Sequence, residues 1–213
     1  LPVIQLMADK VEADDIIAYL CRYSSLKGEQ KIIVSSDKDF YQLLDSKTIL
    51  YRPVQKKLLT QNNILEEHNI HPNNFAMARA IVGDKSDNLD GVPSVGLKTV
   101  AKRFPFFKNE EDVYLNDVIE FCENQESTAK VFDTVKEHKQ LIQSNYNLMQ
   151  LYSPSLSAQT KQSVEWIIDN FEHTFNKTQT QVMMLEDGIN EINWNRMFEQ
   201  FARIQRDKKE LNK

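Results

Sequence analysis

VEADDIIAYLCRYSSLKGEQKIIVSSDKDFYQLL, residues Val11–Leu44, is the stretch whose reading decides the fold. Val11, Ile16, Ile17, Tyr19 and Leu20 group near a 3.6-residue period, which predicts a helix from Val11 to about Leu26 with Gly28 as its stop. KIIVS, Lys31–Ser35, reads as a strand of buried type, and Asp39–Leu44 as a short helix ended by Ser46. Upstream, Val3–Met7 reads as a second buried strand. Downstream, two short β-prone runs, Thr48–Arg52 and Lys56–Thr60, flank Pro53. Strand, helix and strand at these spacings predict an α/β fold: a parallel sheet with crossover helices.

Further along, the pattern turns helical. Helices are expected over Asn73–Val82 (entered through Pro72), Leu97–Phe104, Glu111–Glu123, Thr128–Asn145, Ser163–Phe175 and Trp194–Gln205. In the last, Trp194, Met197, Phe198, Phe201 and Ile204 share one apolar face. A Pro/Ser-rich link lies at Ser153–Thr160, and a polar tail begins at Arg206. These shifts divide the chain at 1–82, 83–150 and 151–213. A chain that opens directly on an apolar strand, without Met, also carries the expectation that sequence precedes Leu1.

The 213 residues suffice for a buried core. The formal net charge of −5 argues at first against a nucleic-acid partner. Setting aside the seven acids discussed next leaves 24 acidic against 26 basic residues, so the rest of the surface is close to neutral. Cys21 and Cys122 lie far apart, each in a helical pattern, and read as reduced buried thiols of a cytoplasmic protein. There is no apolar run of about 18 residues and no signal-peptide pattern, so no membrane is expected.

Those seven acids are Glu12, Asp14 and Asp15, then Asp37 and Asp39, then Asp84 and Asp87 in GDKSDN. Each of the three groups abuts a strongly apolar segment, so the carboxylates project from ordered elements. On a helix, Glu12 and Asp15 share a face and Asp14 is displaced around the axis. Asp37 and Asp39 follow a strand directly, where parallel sheets gather ligands. Each group has a plainer explanation: a helix N-terminus for the first, a cap for one acid of the second, a turn for the third. Together they suit hard divalent cations, which take carboxylates and water. Two such cations about 4 Å apart would serve phosphodiester hydrolysis. Lys85 and Tyr41 adjoin the acids, and Lys85 is a candidate contact to the scissile phosphate.

Gly91-Val92-Pro93-Ser94-Val95-Gly96, followed by Leu97-Lys98-Thr99-Val100-Ala101-Lys102-Arg103, is the second informative segment. Glycines permit a tight turn and close backbone approach, and Lys98, Lys102 and Arg103 add positive charge, which together suit a DNA phosphate. The alternative is a structural turn before a solvated basic helix. His68, His71, His138 and His173 show no spacing suited to zinc. Phe104, Phe106 and Phe107 read as core at a helix exit before they read as base-stacking rings.

V-E-A-D-D-I-I-A, S-S-D-K-D-F-Y-Q-L and V-G-D-K-S-D-N-L-D-G-V-P-S-V-G-x-K-T-V-A resemble, in order and spacing, the 5′-nuclease superfamily. That group includes flap endonucleases, the 5′–3′ exonuclease domain of bacterial DNA polymerase I and phage 5′ nucleases. The resemblance covers about residues 8–104; N-Y-N-L-M-Q-L further on is similar to phage-type ribonuclease H of this group. It implies a PIN-like or resolvase-like core over residues 1–82, incomplete at its start, a helix–three-turn–helix DNA-binding region in 83–150 and C-terminal helices in 151–213. It also implies a metal centre with two Mg²⁺, or Mn²⁺. Asp14, Asp15 and Asp37 would serve the first ion with Glu12 as a further ligand; Asp39, Asp84 and Asp87 would serve the second. Asp15, Asp37, Asp39 and Asp84 would be the catalytic set.

The same resemblance implies that Lys85, Gly91, Val92, Ser94, Val95, Gly96, Lys98, Thr99 and Lys102 touch DNA, with K⁺ at the loop. Ser94 stands where the family usually has Gly. The family's first strand carries an Asp and a second Asp precedes its helical arch; neither has a counterpart here. The function so implied is a metal-dependent 5′–3′ exonuclease or flap endonuclease acting on duplex or flap DNA and RNA–DNA hybrid during replication. A single-stranded DNA-binding protein or other replication protein would be its partner, in the host cytoplasm for a phage protein. The rivals are a non-catalytic duplex-DNA-binding fragment and a small metal-dependent ribonuclease, the latter leaving the Gly-Val-Pro loop unexplained.

Overall fold

Lys31–Val34 (β1), Thr48–Arg52 (β2) and Lys57–Leu59 (β3) form a three-stranded sheet in the order β1-β2-β3. This computed structural model describes residues 3–125, 129–172 and 176–211. β1 and β2 pair in parallel, Lys31 opposite Thr48 and Val34 opposite Tyr51; β2 and β3 pair antiparallel, Leu50 opposite Leu59. The sheet is therefore mixed, correcting the all-parallel expectation: β2 and β3 are joined by the short turn through Pro53 and Lys56, which permits only a hairpin. β1 is open on one side. Ile33 is buried while Ile32 and Val34 are exposed, so this apolar run alternates instead of being covered on both faces.

Two units make up the chain: Asp9–Leu156, and Leu1–Ala8 with Ser157–Lys213. The expected strand Val3–Met7 does not form; these residues take no regular structure, Val3 is 54% and Met7 89% exposed. An apolar run becomes a strand only by pairing its backbone groups, and none of Val3–Met7 enters the sheet. Residues 1 and 2 of that segment lie outside the described residues.

In the larger unit, α1 (Ala13–Arg22) is shorter than expected and is followed by a 3₁₀ turn at Ser25–Gly28. Ser24 causes the break: its hydroxyl donates to Leu20 O and accepts from Leu26 N–H, competing with the helix ladder. The expected helix Asp39–Leu44 is a 3₁₀ turn, Asp39–Leu43. α2 (Gln61–His68) starts at a Thr60–Asn63 capping box and ends on Asn69 in the left-handed region. α3 (Phe75–Val82) is almost wholly buried, and α4 (Leu97–Arg103), α5 (Leu115–Glu123), α6 (Lys130–Glu137) and α7 (Lys139–Met149) pack around it and one another. The helix expected over Thr128–Asn145 is broken at His138, whose ring nitrogen sits 2.7 Å from Thr134 O; Thr128 itself lies outside the described residues.

Phe104 and Phe107 are fully buried and pack edge-on, with Phe106, Phe121 and Phe132 grouped around Phe104, so these rings are core, as expected. Burying each such ring contributes about 2–3 kcal/mol. Asn74 holds the following loop: its amide donates to the carbonyls of Phe107, Asn109 and Glu111, and its oxygen accepts from Val113 N–H. Cys21 and Cys122 are free and buried, and burial pushes each thiol up to about 11.

The smaller unit holds α8 (Ala158–Asp169), capped by Ser157, then α9 (Lys177–Glu186) and α10 (Trp194–Leu211). α8 starts earlier than the Ser163 expected because Ser157 accepts from Thr160 N–H; the expected end, Phe175, lies outside the described residues. α9 had no clear apolar face to reveal it. Trp194 and Phe198 meet on α10, 6.0 Å between ring centroids, while the side chain of Ile204 lies outside the described residues. No helix among the described residues is long and apolar enough to cross a membrane.

Candidate active site

α3 is the platform. FAMARAIV is apolar at every position but one, and that exception, Arg79, is 12% exposed in its side chain. The helix stops at Gly83, whose φ of 77° suits glycine. Its last carbonyls then need donors. Arg79 O accepts from Gly83 N–H, Ile81 O from Val92 N–H, and Ala80 O from the side-chain amide of Asn145 on α7. The same amide donates to Asp90 O, at 2.8 Å, so one buried Asn ties the end of α3 to the base of the following loop.

That loop is GDKSDNLDG. Asp84 and Leu89 exchange backbone hydrogen bonds as an antiparallel bridge, which leaves Lys85, Ser86, Asp87 and Asn88 at an exposed tip. Its two ends close tightly. A Cβ on Gly91 would lie 1.8 Å from Val82 O, and one on Gly83 2.4 Å from Gly91 N. Gly91 therefore serves an internal backbone contact rather than a free surface.

Asp84 uses both oxygens. Oδ1 accepts from the Ser86 amide and hydroxyl, and Oδ2 pairs with Nη2 of Arg79. The same Nη2 lies 3.3 Å from Asp39 Oδ1. Asp39 arrives from the segment after β1, where Asp37 Oδ1 accepts from Asp39 N–H. Asp37 thus caps the turn and Asp39 is left to point at Arg79. Burial pushes the Asp39 carboxyl above its ordinary range; Arg79 pulls it back, and Asp37 and Asp87 push it up further. Four carboxylates from two segments, Asp37, Asp39, Asp84 and Asp87, thus share one neighbourhood with one guanidinium.

Arg52, from β2, braces this turn: it donates to Ser36 O and to the Tyr41 hydroxyl, both at 3.1 Å. Tyr41 in turn packs edge-on to Phe75 of α3. Arg52, Arg79 and Asn145 were not singled out from sequence. Arg79 carried a signal, a lone charge inside an apolar helix four positions before Gly83; Asn145 on a mixed helix face carried none.

Glu12, Asp14 and Asp15 have other partners. They begin α1, Asp14 Oδ1 accepts from Asp15 N–H, and Asp15 Oδ1 accepts from Ser155 N–H at 3.0 Å. Among the described residues no hydrogen bond or ion pair joins them to Asp37, Asp39, Asp84 or Asp87. Nor do any three His, Cys, Asp or Glu side chains there converge on a point fit for a metal ion. The donors are nonetheless all carboxylate oxygens, the chemistry a hard divalent cation takes. Two of them already grip a cation, the guanidinium of Arg79. The described histidines join no such group: His68 lies between Tyr41 and Phe75, His71 caps the turn at Asn73, and His173 lies outside the described residues.

In the Gly91–Gly96 loop, Val92 and Val95 are buried anchors and Val92 O accepts from Val95 N–H. Ser94 has φ 63°, the left-handed region that glycine enters without strain. Lys98 and Lys102 are exposed one turn apart on α4, with Thr99 between them half-buried.

Residues 1–69 match the family model described as 5′–3′ exonuclease, N-terminal resolvase-like domain. A 5′–3′ exonuclease of Buchnera aphidicola subsp. Schizaphis graminum is 40% identical over 106 residues, 50% of this chain and 37% of that protein. One of Aquifex aeolicus is 30% identical over 142 residues, 67% of this chain and 46% of that protein. The chain therefore spans less than half the length of these relatives. Among solved structures, the flap endonuclease of bacteriophage T5, in a pseudo-enzyme-product complex with DNA and metal ions, superposes with a TM-score of 0.62. It is 22% identical, and the match covers 74% of this chain and 58% of that one. At that identity the likeness is one of fold.

Proposed function

The chain belongs to the 5′-nuclease superfamily, and from that premise we propose that it is part of a metal-dependent 5′–3′ exonuclease or flap endonuclease. The observation that carries the reading is the meeting of Asp39 and Asp84, from two distant segments, on the part-buried guanidinium of Arg79, with Asp37 and Asp87 near enough to act on Asp39 by charge, beside a loop that leads into a basic helix. Asp39, Asp84 and Asp87 would hold one divalent cation, Mg²⁺ or Mn²⁺. Asp37 would belong to a second with Asp14, Asp15 and Glu12, whose approach requires Asp15 to leave Ser155. When bound, such ions acidify water and neutralise charge on a phosphodiester.

The chain's own residues do the positioning. Asp37 holds the turn that aims Asp39, Asn145 and the Gly83–Gly91 contact hold the loop that aims Asp84, and Arg52 fixes the Ser36 backbone. Lys85, exposed at the tip, would meet a phosphate. Lys98 and Lys102, with the Gly91–Gly96 loop and Thr99, would grip the duplex backbone as a helix–three-turn–helix element, without reading sequence. K⁺ at this loop would take backbone carbonyls, of which that of Val92 is already engaged. The substrate would be flap or duplex DNA, or an RNA–DNA hybrid, in replication.

One observation favours a second reading, a duplex-binding chain that does not cut: Asp15 is engaged by Ser155, and among the described residues no three acids form a group fit for a metal ion. A labelled 5′-flap duplex separates the two. Release of short 5′ products in Mg²⁺, abolished by EDTA and by Asp84→Asn, supports the nuclease. Binding without cutting, and without Mg²⁺ or Mn²⁺ binding by the chain, refutes it in favour of the second reading. In either case Lys98→Ala and Lys102→Ala should each lower the salt slope of duplex affinity by about one.

A further inference from the structure

Arg79 grips its carboxylates in an unequal way. A single nitrogen, Nη2, serves both Asp39 and Asp84, although the guanidinium offers a five-donor fork, and its buried Nε has no hydrogen-bond partner. Asp84 is held independently of Arg79, because Ser86 donates twice to its other oxygen. The Asp39 carboxylate accepts no other hydrogen bond among the described residues. The two pairs therefore differ in what holds them. Asp84 has two donors from Ser86 besides Arg79, whereas Arg79, at 3.3 Å, is the one side-chain partner of the Asp39 carboxylate among the described residues.

We propose that Arg79 is a built-in counter-cation of the carboxylate pocket, one that keeps Asp39 in place in the metal-free protein and yields it to a divalent cation while retaining Asp84. The inference rests on the metal-dependent reading above and adds a competitor to it. Two part-buried carboxylates set side by side repel each other and lose hydration, so a cation between them is favourable whether or not metal is bound. The guanidinium is that cation between loadings. It is a positioning residue, acting on the substrate only through Asp39 and Asp84.

Competition of this kind sets metal affinity below what the carboxylates alone would reach. Replacing the cation by a shorter neutral amide, Arg79→Gln, should tighten Mn²⁺ binding about tenfold, a coupling of ordinary size. The same variant should melt at lower temperature without metal and gain more from added Mn²⁺ than the wild type does. Calorimetry and thermal melts of the whole chain read both. In the wild type, the Arg79 Nε–H resonance, assigned by its absence in Arg79→Lys, should shift saturably with Mg²⁺ at the calorimetric midpoint. That measurement decides the matter even where Arg79→Gln does not fold. Metal binding with an unmoved Nε–H resonance, or without tightening in a folded Arg79→Gln, overturns the role of Arg79 alone. No Mn²⁺ or Mg²⁺ binding by the wild type at millimolar concentration overturns the metal reading and this inference with it.

Discussion

Replacing Asn145 by Ala removes a side chain that is 2% exposed and makes two hydrogen bonds, 3.0 Å to Ala80 O and 2.8 Å to Asp90 O. Each bond is worth about 1 kcal/mol net, and a buried acceptor left without a donor costs about 1–3 kcal/mol. Ala80 O has no substitute, because the amide that would follow it in the helix, Asp84 N–H, is committed to Leu89 O. The expected loss is about 3 kcal/mol. With a urea slope of about 2 kcal/mol/M, the unfolding midpoint falls by about 1.5 M. Asn147, two residues further along α7, exposed and accepting from the Gln143 amide, is the control; Asn147→Ala should shift the midpoint by less than about 0.3 M. Equal shifts for the two variants would refute the claim that Asn145 pins α3 to the loop. A full loss of cleavage without loss of stability would refute the energetics while keeping the geometry.

Gly91→Ala should cost more, at least about 4 kcal/mol, because the new methyl meets the Val82 backbone and not a yielding side chain; a urea midpoint within about 0.3 M of the wild type would contradict this. Stability should also fall on acidification. Burial lowers the pKa of both His68 and His71, so the folded state prefers them neutral. Their contribution is present above the unfolded value of about 6.5 and is lost as pH falls through the lower folded values. Melts at pH 7.5 and 5.5 should show the drop, and His68→Gln should reduce it; an unchanged slope in that variant would remove His68 from the account.

Local signals in the sequence marked β1, β2, β3, α3 and α4 to within a few residues, because apolar periodicity, caps and Gly or Pro stops act over a single turn or strand. They also marked the seven acids and the basic helix. What they could not mark was pairing. That Val3–Met7 pairs with nothing in the sheet depends on partners remote in sequence. A helix break at His138 came from one side chain turning back on its own carbonyls, with no Gly or Pro to announce it.

The site divides in the same way. Sequence alone named seven acids, Glu12, Asp14, Asp15, Asp37, Asp39, Asp84 and Asp87, as one set, since carboxylates crowded beside apolar runs call for a cation. Only the tertiary structure decided that Asp37 caps while Asp39 points inward, and that Asp15 turns to Ser155. Only it put the guanidinium of Arg79 between Asp39 and Asp84. The physical reason is range. Helix propensity and charge crowding are properties of neighbouring residues, whereas the partner of a buried charge is chosen by the packing that brings a distant helix beside it.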